Sequence, residues 1–233
     1  MTECVWFQVL GRARTGTGKT VAFLVPALQN SAAKSNSSQH ERHESRGIDV
    51  LAISPTRELA SQISEQGEQL LSFSPKRSVQ VMFGGTKKPR DINQLERNCP
   101  SLLVATPGRL LDHLQTTRLR NGSFKDLVSN VQVLILDEAD QLLEMGFRND
   151  IMEILSYLPA QKQTLLFSAT IPPGLTGVME KTMRTGSVTV DCIHDDDGAT
   201  HSVDQVPQSH VLLPDNGRQV SGKFTSNLLG ACD

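Results

Sequence analysis

The sequence predicts an α/β domain with a mostly parallel sheet and helices on both faces. Short apolar runs alternate with longer helix-like stretches, and they lie at 9–10, 51–54, 79–83, 101–105, 131–136 and 164–167. The run 131–136 is mostly apolar and rich in β-branched residues, which is typical of a strand buried on both faces of a parallel sheet. Ligands bind outside the carboxyl ends of such strands, so the residues that follow these runs are the candidates for function.

A glycine-rich loop lies between the apolar run 9–10 and the helix-like stretch 21–28. Its two glycines allow turn conformations that are closed to other residues, and they bring successive N–H groups up to phosphate oxygens. Its lysine adds a point charge that reaches the β- and γ-phosphates, and its last threonine offers a hydroxyl to Mg²⁺. The loop therefore predicts a nucleotide site formed by Thr15, Gly16, Thr17, Gly18, Lys19 and Thr20.

Two carboxylates follow the predicted strand 131–136 directly. Asp137 is placed to hold a hydrated Mg²⁺ that bridges the phosphates, and Glu138 is placed to orient and deprotonate the attacking water. A solvated acidic turn is the alternative for a lone Asp-Glu pair, but the phosphate loop in the same chain favours the metal site. The predicted catalytic residues are Glu138, Lys19 and Asp137.

The predicted strands 51–54 and 101–105 are also followed by the starts of helices. The first of these helices is expected to bury an apolar stripe made of Leu59, Ile63, Leu70 and Leu71. In the second, Thr106 is expected as the N-cap and Pro107 as the first helical residue. Helix N-termini hold a sugar-phosphate backbone without reading bases, and the glycine pair 84–85 allows a similarly close backbone approach.

Six motifs give the chain a resemblance to the first RecA-like domain of the DEAD-box RNA helicase family. In chain order they are residues 13–20, 55–60, 84–85, 106–109, 137–140 and 168–170. Within that family, the segments 11–25 and 142–147 are most similar to fungal mitochondrial members.

The resemblance implies an ATP-dependent RNA helicase that uses ATP and Mg²⁺ to remodel RNA. It implies that one RNA strand is gripped by Pro55, Thr56, Arg57, Gly84, Gly85, Thr106, Pro107, Gly108 and Arg109. It also implies that Ser168, Ala169 and Thr170 couple the state of the nucleotide to RNA binding, and their hydroxyls are expected to contact Asp140.

A complete helicase of this family also has a second RecA-like domain and an upstream segment whose glutamine contacts adenine. We expect neither here. The residues after the sixth motif do not resemble a second domain, and Gln8 lies too close to the phosphate loop to be that glutamine. We expect one domain over 1–190 with a flexible polar insertion at 30–47, then a polar tail or truncated linker over 191–233 with one strand at 206–213. The alternative function is a non-catalytic nucleotide- and RNA-binding module, completed by a protein partner that supplies the second domain.

Composition limits the other function classes. The formal net charge of −2 at pH 7 excludes a globally basic surface, so RNA affinity is expected to come from local groups such as Arg57 and Arg109. The four cysteines lie far apart, which argues against a zinc site or a disulfide framework, and His113 has no partner motif that would make it a ligand. No apolar run reaches the ~18 residues of a membrane span. We expect an unexported, intracellular chain without a targeting segment, and the resemblance allows the mitochondrion or the nucleus.

Overall fold

A computed structural model describes residues 7–13, 16–37, 47–74, 77–183 and 186–193. In this part of the chain the strands are β1 (Val9–Arg12), β2 (Val50–Ile53), β3 (Val79–Met82), β4 (Leu102–Ala105), β5 (Arg118–Leu119), β6 (Gly122–Ser123), β7 (Val133–Leu136), β8 (Gln163–Ser168) and β9 (Val188–Asp191). The helices are α1 (Lys19–Ser37), α2 (Arg57–Leu71), α3 (Lys88–Arg97), α4 (Pro107–Thr116), α5 (Phe124–Val128), α6 (Ala139–Glu144), α7 (Arg148–Tyr157) and α8 (Pro173–Thr182).

Seven strands form one sheet in the order β3-β4-β2-β7-β8-β1-β9, and every neighbouring pair in it is parallel. The strands β5 and β6 form a separate antiparallel pair. Because the large sheet is parallel throughout, the carboxyl ends of its strands lie along one edge. The predicted α/β class with a mostly parallel sheet is confirmed.

Side chains of the central strands alternate between two hydrophobic clusters, one on each face of the sheet. On β2, Val50 and Ala52 pack with α1 and α2, whereas Leu51 and Ile53 pack with residues of α3 to α8. The strands β4 and β7 divide their side chains in the same way. This burial on both faces explains why the central strands are apolar at every position, and it confirms the predicted helices on both faces.

The apolar stripe predicted for α2 is confirmed at Ile63 and Leu71, whereas Leu59 is only half-buried and the prediction is wrong at Leu70. The helix buries Ala60, Ile63, Ser64, Gly67 and Leu71, while Leu70 is 36% exposed. The buried residues Ser64, Gly67 and Leu71 are spaced by three and four positions and share one face of the helix, whereas Leu59 and Leu70 lie at the margin of that face. Gly67 lies on the buried face, and the residue there is a glycine because a Cβ atom would meet Leu102 of β4.

Two predicted boundaries differ from the structure. Helix α1 continues to Ser37, so the predicted insertion at 30–47 is helical over its first residues, while residues 38–46 lie outside the described part. The predicted tail begins within β9, which ends at Asp191 and pairs with β1. Residues 194–233, with the predicted strand at 206–213, lie outside the described residues. Within the described residues, no helix is long and apolar enough to cross a membrane.

Candidate nucleotide site and nucleic-acid interface

The glycine-rich loop connects the end of β1 to the first turn of α1, as the sequence predicts. Gly16 and Gly18 have φ angles of 81° and 84°, in the left-handed region that favours glycine. A Cβ atom at either position would meet nothing within 4 Å, so the space beside this backbone is open. Thr15, which the sequence also assigns to this site, lies outside the described residues.

Lys19 is the first residue of α1, and its ammonium group is buried without a hydrogen-bond partner in the described part of the chain. Burial raises the pKa values of Asp137 and Glu138, the two carboxyl groups that follow β7, and the positive charge of Lys19 opposes this rise at both. A buried cation without a hydrogen bond is costly unless a ligand satisfies it. The residues present therefore fit an anionic group such as a nucleotide phosphate.

Asp137 and Glu138 are buried at the end of β7, with 5% and 6% of their surface exposed. Burial, together with the charges of Glu138 and Asp140, raises the pKa of Asp137 to about 6 against the opposing effects of Lys19 and of the hydrogen bond from the Glu138 N–H. Burial also raises the pKa of Glu138, whose Oε2 atom is buried without a hydrogen-bond partner among the described residues. Crowded, poorly satisfied carboxylates of this kind are suited to a divalent cation.

Glu138 has a backbone conformation that sequence analysis did not foresee. Its φ and ψ angles are 49° and 53°, which lie in the left-handed region. Among the described residues other than glycine, Glu138 alone has a positive φ angle. This left-handed residue turns the chain sharply from β7 into α6, and its N–H donates to Asp137 Oδ1 at 3.1 Å. Such strained conformations cluster at functional sites, and they persist where the surrounding structure holds them.

The predicted contact between Asp140 and residues 168–170 is present. Thr170 donates its hydroxyl and its N–H to Asp140 Oδ2, both at 2.9 Å, and the Ala169 N–H donates to the same oxygen at 3.2 Å. The Asp140 N–H in turn donates to Ser168 Oγ at 3.1 Å. Burial alone would raise the pKa of Asp140, but the hydrogen bonds from Thr170, Gln141 and Ser168 outweigh it and hold the pKa below its usual value.

The three predicted nucleic-acid segments lie side by side, because β3, β4 and β2 are neighbours in the sheet. Thr56 caps α2 by accepting a hydrogen bond from the Leu59 N–H at 3.2 Å. The exposed Arg57 packs over the glycine pair, so that a Cβ atom on Gly85 would lie 2.5 Å from Arg57 Nη1. Gly85 also has a φ angle of 88°, which explains why glycine is needed there.

The third segment starts α4, and its residues have different degrees of exposure. Thr106 and Pro107 are buried as the N-cap and first helical residues, and Gly108 is exposed. The Arg109 side chain is only 8% exposed. Its Nε donates to the Phe83 carbonyl at 3.2 Å and its Nη2 donates to the Thr86 carbonyl, so its hydrogen bonds are made to the protein. The expectation that Arg109 offers its charge to RNA is not supported by this orientation.

Two residues that the sequence did not assign to the site lie next to Arg109. Asp91 on α3 is 3.7 Å from Arg109 Nη1, and the same oxygen is 3.3 Å from His113 Nε2. His113 is fully buried, and both of its ring nitrogens contact side chains of the protein. No sequence pattern around Asp91 indicates a functional role, because its partners come from a different helix.

Gln8, the glutamine that precedes the phosphate loop, makes its hydrogen bonds to the protein. Its Nε2 donates to the Lys162 carbonyl, and its Oε1 accepts from the Thr164 N–H, so both ends of the carboxamide are paired.

Comparisons with known proteins agree with this arrangement. A family model described as DEAD/DEAH box helicase matches residues 5–177. The chain is 42% identical over 207 residues to DEAD-box ATP-dependent RNA helicase 26 of Oryza sativa subsp. japonica, covering 89% of this chain and 36% of that protein. It is 43% identical over 205 residues to DEAD-box ATP-dependent RNA helicase 26 of Arabidopsis thaliana, covering 88% of this chain and 23% of that protein.

A solved structure is similar over most of the described fold. The structure titled "DEAD-box helicase Mss116 bound to ssRNA and UDP-BeF" superposes with a TM-score of 0.69 at 29% identity, covering 82% of this chain and 38% of that chain. The chain thus spans about a third or less of the length of these relatives. The family match extends from before the phosphate loop to beyond Thr170, over every motif described above. The chain belongs to the DEAD/DEAH box helicase family, as a first RecA-like domain.

Proposed function

We propose that this chain is the nucleotide-binding part of an ATP-dependent RNA helicase, which binds Mg-ATP and RNA and hydrolyses ATP to remodel the RNA. The observation that carries the proposal is the buried Lys19 ammonium, which has no hydrogen-bond partner in the described structure and lies near two crowded carboxylates at the phosphate loop. The curated relatives are named ATP-dependent RNA helicases, and the similar solved structure is titled as bound to ssRNA and UDP-BeF.

In this proposal the loop from Thr15 to Thr20 holds the nucleotide. Backbone N–H groups at Gly16 and Gly18 approach the phosphate oxygens, since both glycines leave the neighbouring space open. Lys19 gains the anionic partner that it lacks within the described protein. Thr20 and Asp137 would hold Mg²⁺, which when bound neutralises negative charge on the phosphates.

Glu138 is proposed as the base that accepts a proton from the attacking water. Its Oε2 atom is buried and has no hydrogen-bond partner among the described residues, so it is available to a water molecule. Burial raises the pKa of Glu138, which makes the carboxylate a stronger base, and the charge of Lys19 limits that rise. The left-handed backbone at Glu138 sets the direction of its side chain relative to Asp137.

RNA is proposed to lie across the ends of β2, β3 and β4. The exposed Arg57 is the cation best placed to meet a phosphate there, and the N-termini of α2 and α4 offer N–H groups to the same backbone. Pro55, Thr106, Pro107 and Gly108 shape those N-termini. The bonds that join Asp140 to residues 168–170 connect the strand end that carries the acidic pair to the neighbouring strand end, which supports the proposed coupling role of these residues.

The test is RNA-stimulated ATP hydrolysis by the purified chain, with Glu138→Gln as the control for contaminating activity. Lys19→Ala tests nucleotide binding separately, by fluorescence of a labelled ATP analogue with Mg²⁺. Turnover that rises with RNA and is absent in Glu138→Gln supports the helicase proposal. Binding of nucleotide and RNA without turnover supports instead a non-catalytic module that needs a partner with a second RecA-like domain. Failure to bind either ligand contradicts both.

A further inference from the structure

One arginine holds both ends of the turn that contains the glycine pair. Arg109 Nε donates to the Phe83 carbonyl, which precedes Gly84, and Nη2 donates to the carbonyl and the hydroxyl of Thr86, which follows Gly85. Thr86 also donates its hydroxyl to the Phe83 carbonyl at 3.0 Å, which closes the turn. The structure records no hydrogen bond from the N–H groups of Gly84 and Gly85 to the described residues.

Arg109 is itself held by a buried carboxylate. Asp91 Oδ2 lies 3.7 Å from Arg109 Nη1, and the two side chains are 6% and 8% exposed. The Asp91 carbonyl accepts a hydrogen bond from Gln80 Nε2 at 3.0 Å, which ties α3 to β3. A guanidinium that is withdrawn from water needs a counter-charge, so Asp91 stabilises Arg109 in the orientation that bonds the turn.

His113 fixes the carboxylate from the other side. Its Nε2 is 3.3 Å from Asp91 Oδ2, and its Nδ1 is 2.9 Å from Thr117 Oγ1, so the fully buried ring is held at both nitrogens. Arg109 and His113 are four residues apart on α4 and present the same face to Asp91. The chain of contacts therefore runs from the end of α4 through His113, Asp91 and Arg109 to the glycine turn.

We infer that Asp91 and His113 are positioning residues for RNA binding, and that Arg109 acts on RNA by shaping the Gly84-Gly85 turn rather than by contacting a phosphate. Their effect is transmitted through the orientation of the Arg109 guanidinium. The exposed Arg57, which packs against Gly85 from outside, keeps the role of phosphate contact. This inference rests on the proposed function, since it assumes that the turn faces RNA.

The test compares Asp91→Asn with Asp112→Asn in the full chain. Both substitutions remove one negative charge, but Asp112 lies on the exposed side of α4 and pairs with Lys88. Affinity is measured for a fluorescein-labelled oligouridine of about ten nucleotides, at several salt concentrations, with Mg²⁺ and a non-hydrolysable ATP analogue. We expect Asp91→Asn to weaken RNA binding about tenfold, because the buried Arg109 guanidinium loses its counter-charge. Asp112→Asn should bind RNA as the unaltered chain does.

The salt dependence of RNA affinity distinguishes a positioning residue from a residue that contacts a phosphate. Each phosphate contact to a single strand contributes about 0.7 to the slope of log affinity against log salt concentration. Asp91→Asn should leave that slope and the nucleotide affinity unchanged, whereas Arg57→Ala should reduce the slope. Arg109→Lys keeps the charge but loses the forked geometry, so it should weaken RNA binding about as much as Asp91→Asn. Arg109→Gln removes the charge as well, and it should also leave the slope unchanged because Arg109 contacts no phosphate. A reduced slope in Arg109→Gln, or RNA affinity in Asp91→Asn equal to that of Asp112→Asn, overturns the inference.

Backbone hydrogen exchange at Thr106 and Arg90, whose N–H groups donate to the Met82 and Lys87 carbonyls on either side of the turn, tests the positioning role without RNA. Faster exchange there in Asp91→Asn than in Asp112→Asn is expected, because the turn loses its brace. Equal exchange in the two variants overturns the inference. Loss of the nucleotide affinity and of the unfolding cooperativity in both Asp91→Asn and Arg109→Lys also overturns it, since the network would then support the whole fold. If the unaltered chain fails to bind the oligouridine, the proposed function fails, and exchange alone decides whether Asp91 holds the turn.

Discussion

Two acidic residues, three positions apart, have opposite electrostatic environments. The Asp137 carboxyl is buried, and burial together with the charges of Glu138 and Asp140 raises its pKa. The Asp140 carboxyl accepts hydrogen bonds, which outweigh the effect of burial and lower its pKa. Among the described residues, the Asp137 carboxyl accepts a hydrogen bond from the adjacent Glu138 N–H, whereas the Asp140 carboxyl accepts hydrogen bonds from Thr170 and Ala169 on the neighbouring strand end. This contrast supports a ligand-binding role for Asp137 and an internal linking role for Asp140.

The left-handed backbone of Glu138 should cost stability. A non-glycine residue with these angles is destabilised by about 1 kcal/mol or more relative to glycine. Glu138→Gly should therefore unfold with a free energy about 1 kcal/mol higher than that of Glu138→Ala, and neither variant should hydrolyse ATP. The measurement is urea denaturation of both variants.

Glu144 provides the matched control for that comparison, because it is an exposed residue at the end of the same short helix, α6. At this regular helical position the order should reverse, with Glu144→Gly less stable than Glu144→Ala by up to about 1 kcal/mol. The same order at both positions would contradict the assignment of strain to Glu138.

The lowered pKa of Asp140 makes a contribution to stability that depends on pH. Hydrogen bonds to the ionised carboxylate stabilise the folded chain fully above the unfolded pKa, whose ordinary value is 3.8, and this stabilisation is lost as pH falls through the lower folded pKa. The difference in unfolding free energy between the unaltered chain and Asp140→Asn should therefore be largest near pH 7 and shrink below about pH 4. Urea denaturation across this range measures it. A difference that stays constant over the range would show that the ionised carboxylate is not responsible.

At the scale of single elements, α2 approaches the sheet closely enough to require a glycine. A Cβ atom on Gly67 would lie 2.6 Å from Leu102 Cδ2 and 3.4 Å from Val79 Cγ2, on the neighbouring strands β4 and β3. Leu102 is fully buried and has little room to move. A glycine inside a helix weakens that helix, so its presence here is explained by packing and not by helix propensity.

Gly67→Ala should therefore destabilise the chain by about 1–3 kcal/mol, as overpacking in a core does. Gly108 lies in α4, where an added Cβ would meet nothing within 4 Å, so Gly108→Ala should instead raise the unfolding free energy by a few tenths to about 1 kcal/mol. Thermal or urea denaturation of the two variants checks the opposite signs. Stabilisation by Gly67→Ala would mean that α2 can shift away from β4 at little cost.

The strands and helix starts could be predicted because their patterns depend on neighbouring residues in the chain. The apolar run before Asp137 and the Thr106-Pro107 pair both mark their elements locally. The orientation of Arg109 could not be predicted, because it depends on Asp91, which a different helix brings within reach. Leu70 was misplaced for a similar reason, since its sequence shows that α2 is amphipathic but not which residues meet β3 and β4.

At the scale of the whole molecule, a single parallel sheet brings distant motifs to one edge. The phosphate loop, the acidic pair and residues 168–170 follow β1, β7 and β8, which are near neighbours in the sheet but far apart in the chain. The sequence predicts that these motifs share an edge, because parallel strands have their carboxyl ends together. The strand order, which places the segments after β2, β3 and β4 on the side of β7 that faces away from β1, becomes known only from the structure.

This chain spans 36% of the rice relative's length, and its described fold is one RecA-like domain. In the helicase family, a second domain supplies arginines to the transition state, and such arginines are worth about 10³ to 10⁵ in rate. The chain alone should therefore bind Mg-ATP weakly and hydrolyse it at least about 10³-fold more slowly than the rice protein with the same RNA. Parallel steady-state assays of both proteins measure the ratio.

Adding the second RecA-like domain of the rice protein as a separate polypeptide should raise the rate of the unaltered chain and leave the rate of Glu138→Gln unchanged. Equal rates for the lone chain and the rice protein would show that the chain stabilises the transition state without a second domain. If two copies of the chain do this together, the specific rate should rise with protein concentration.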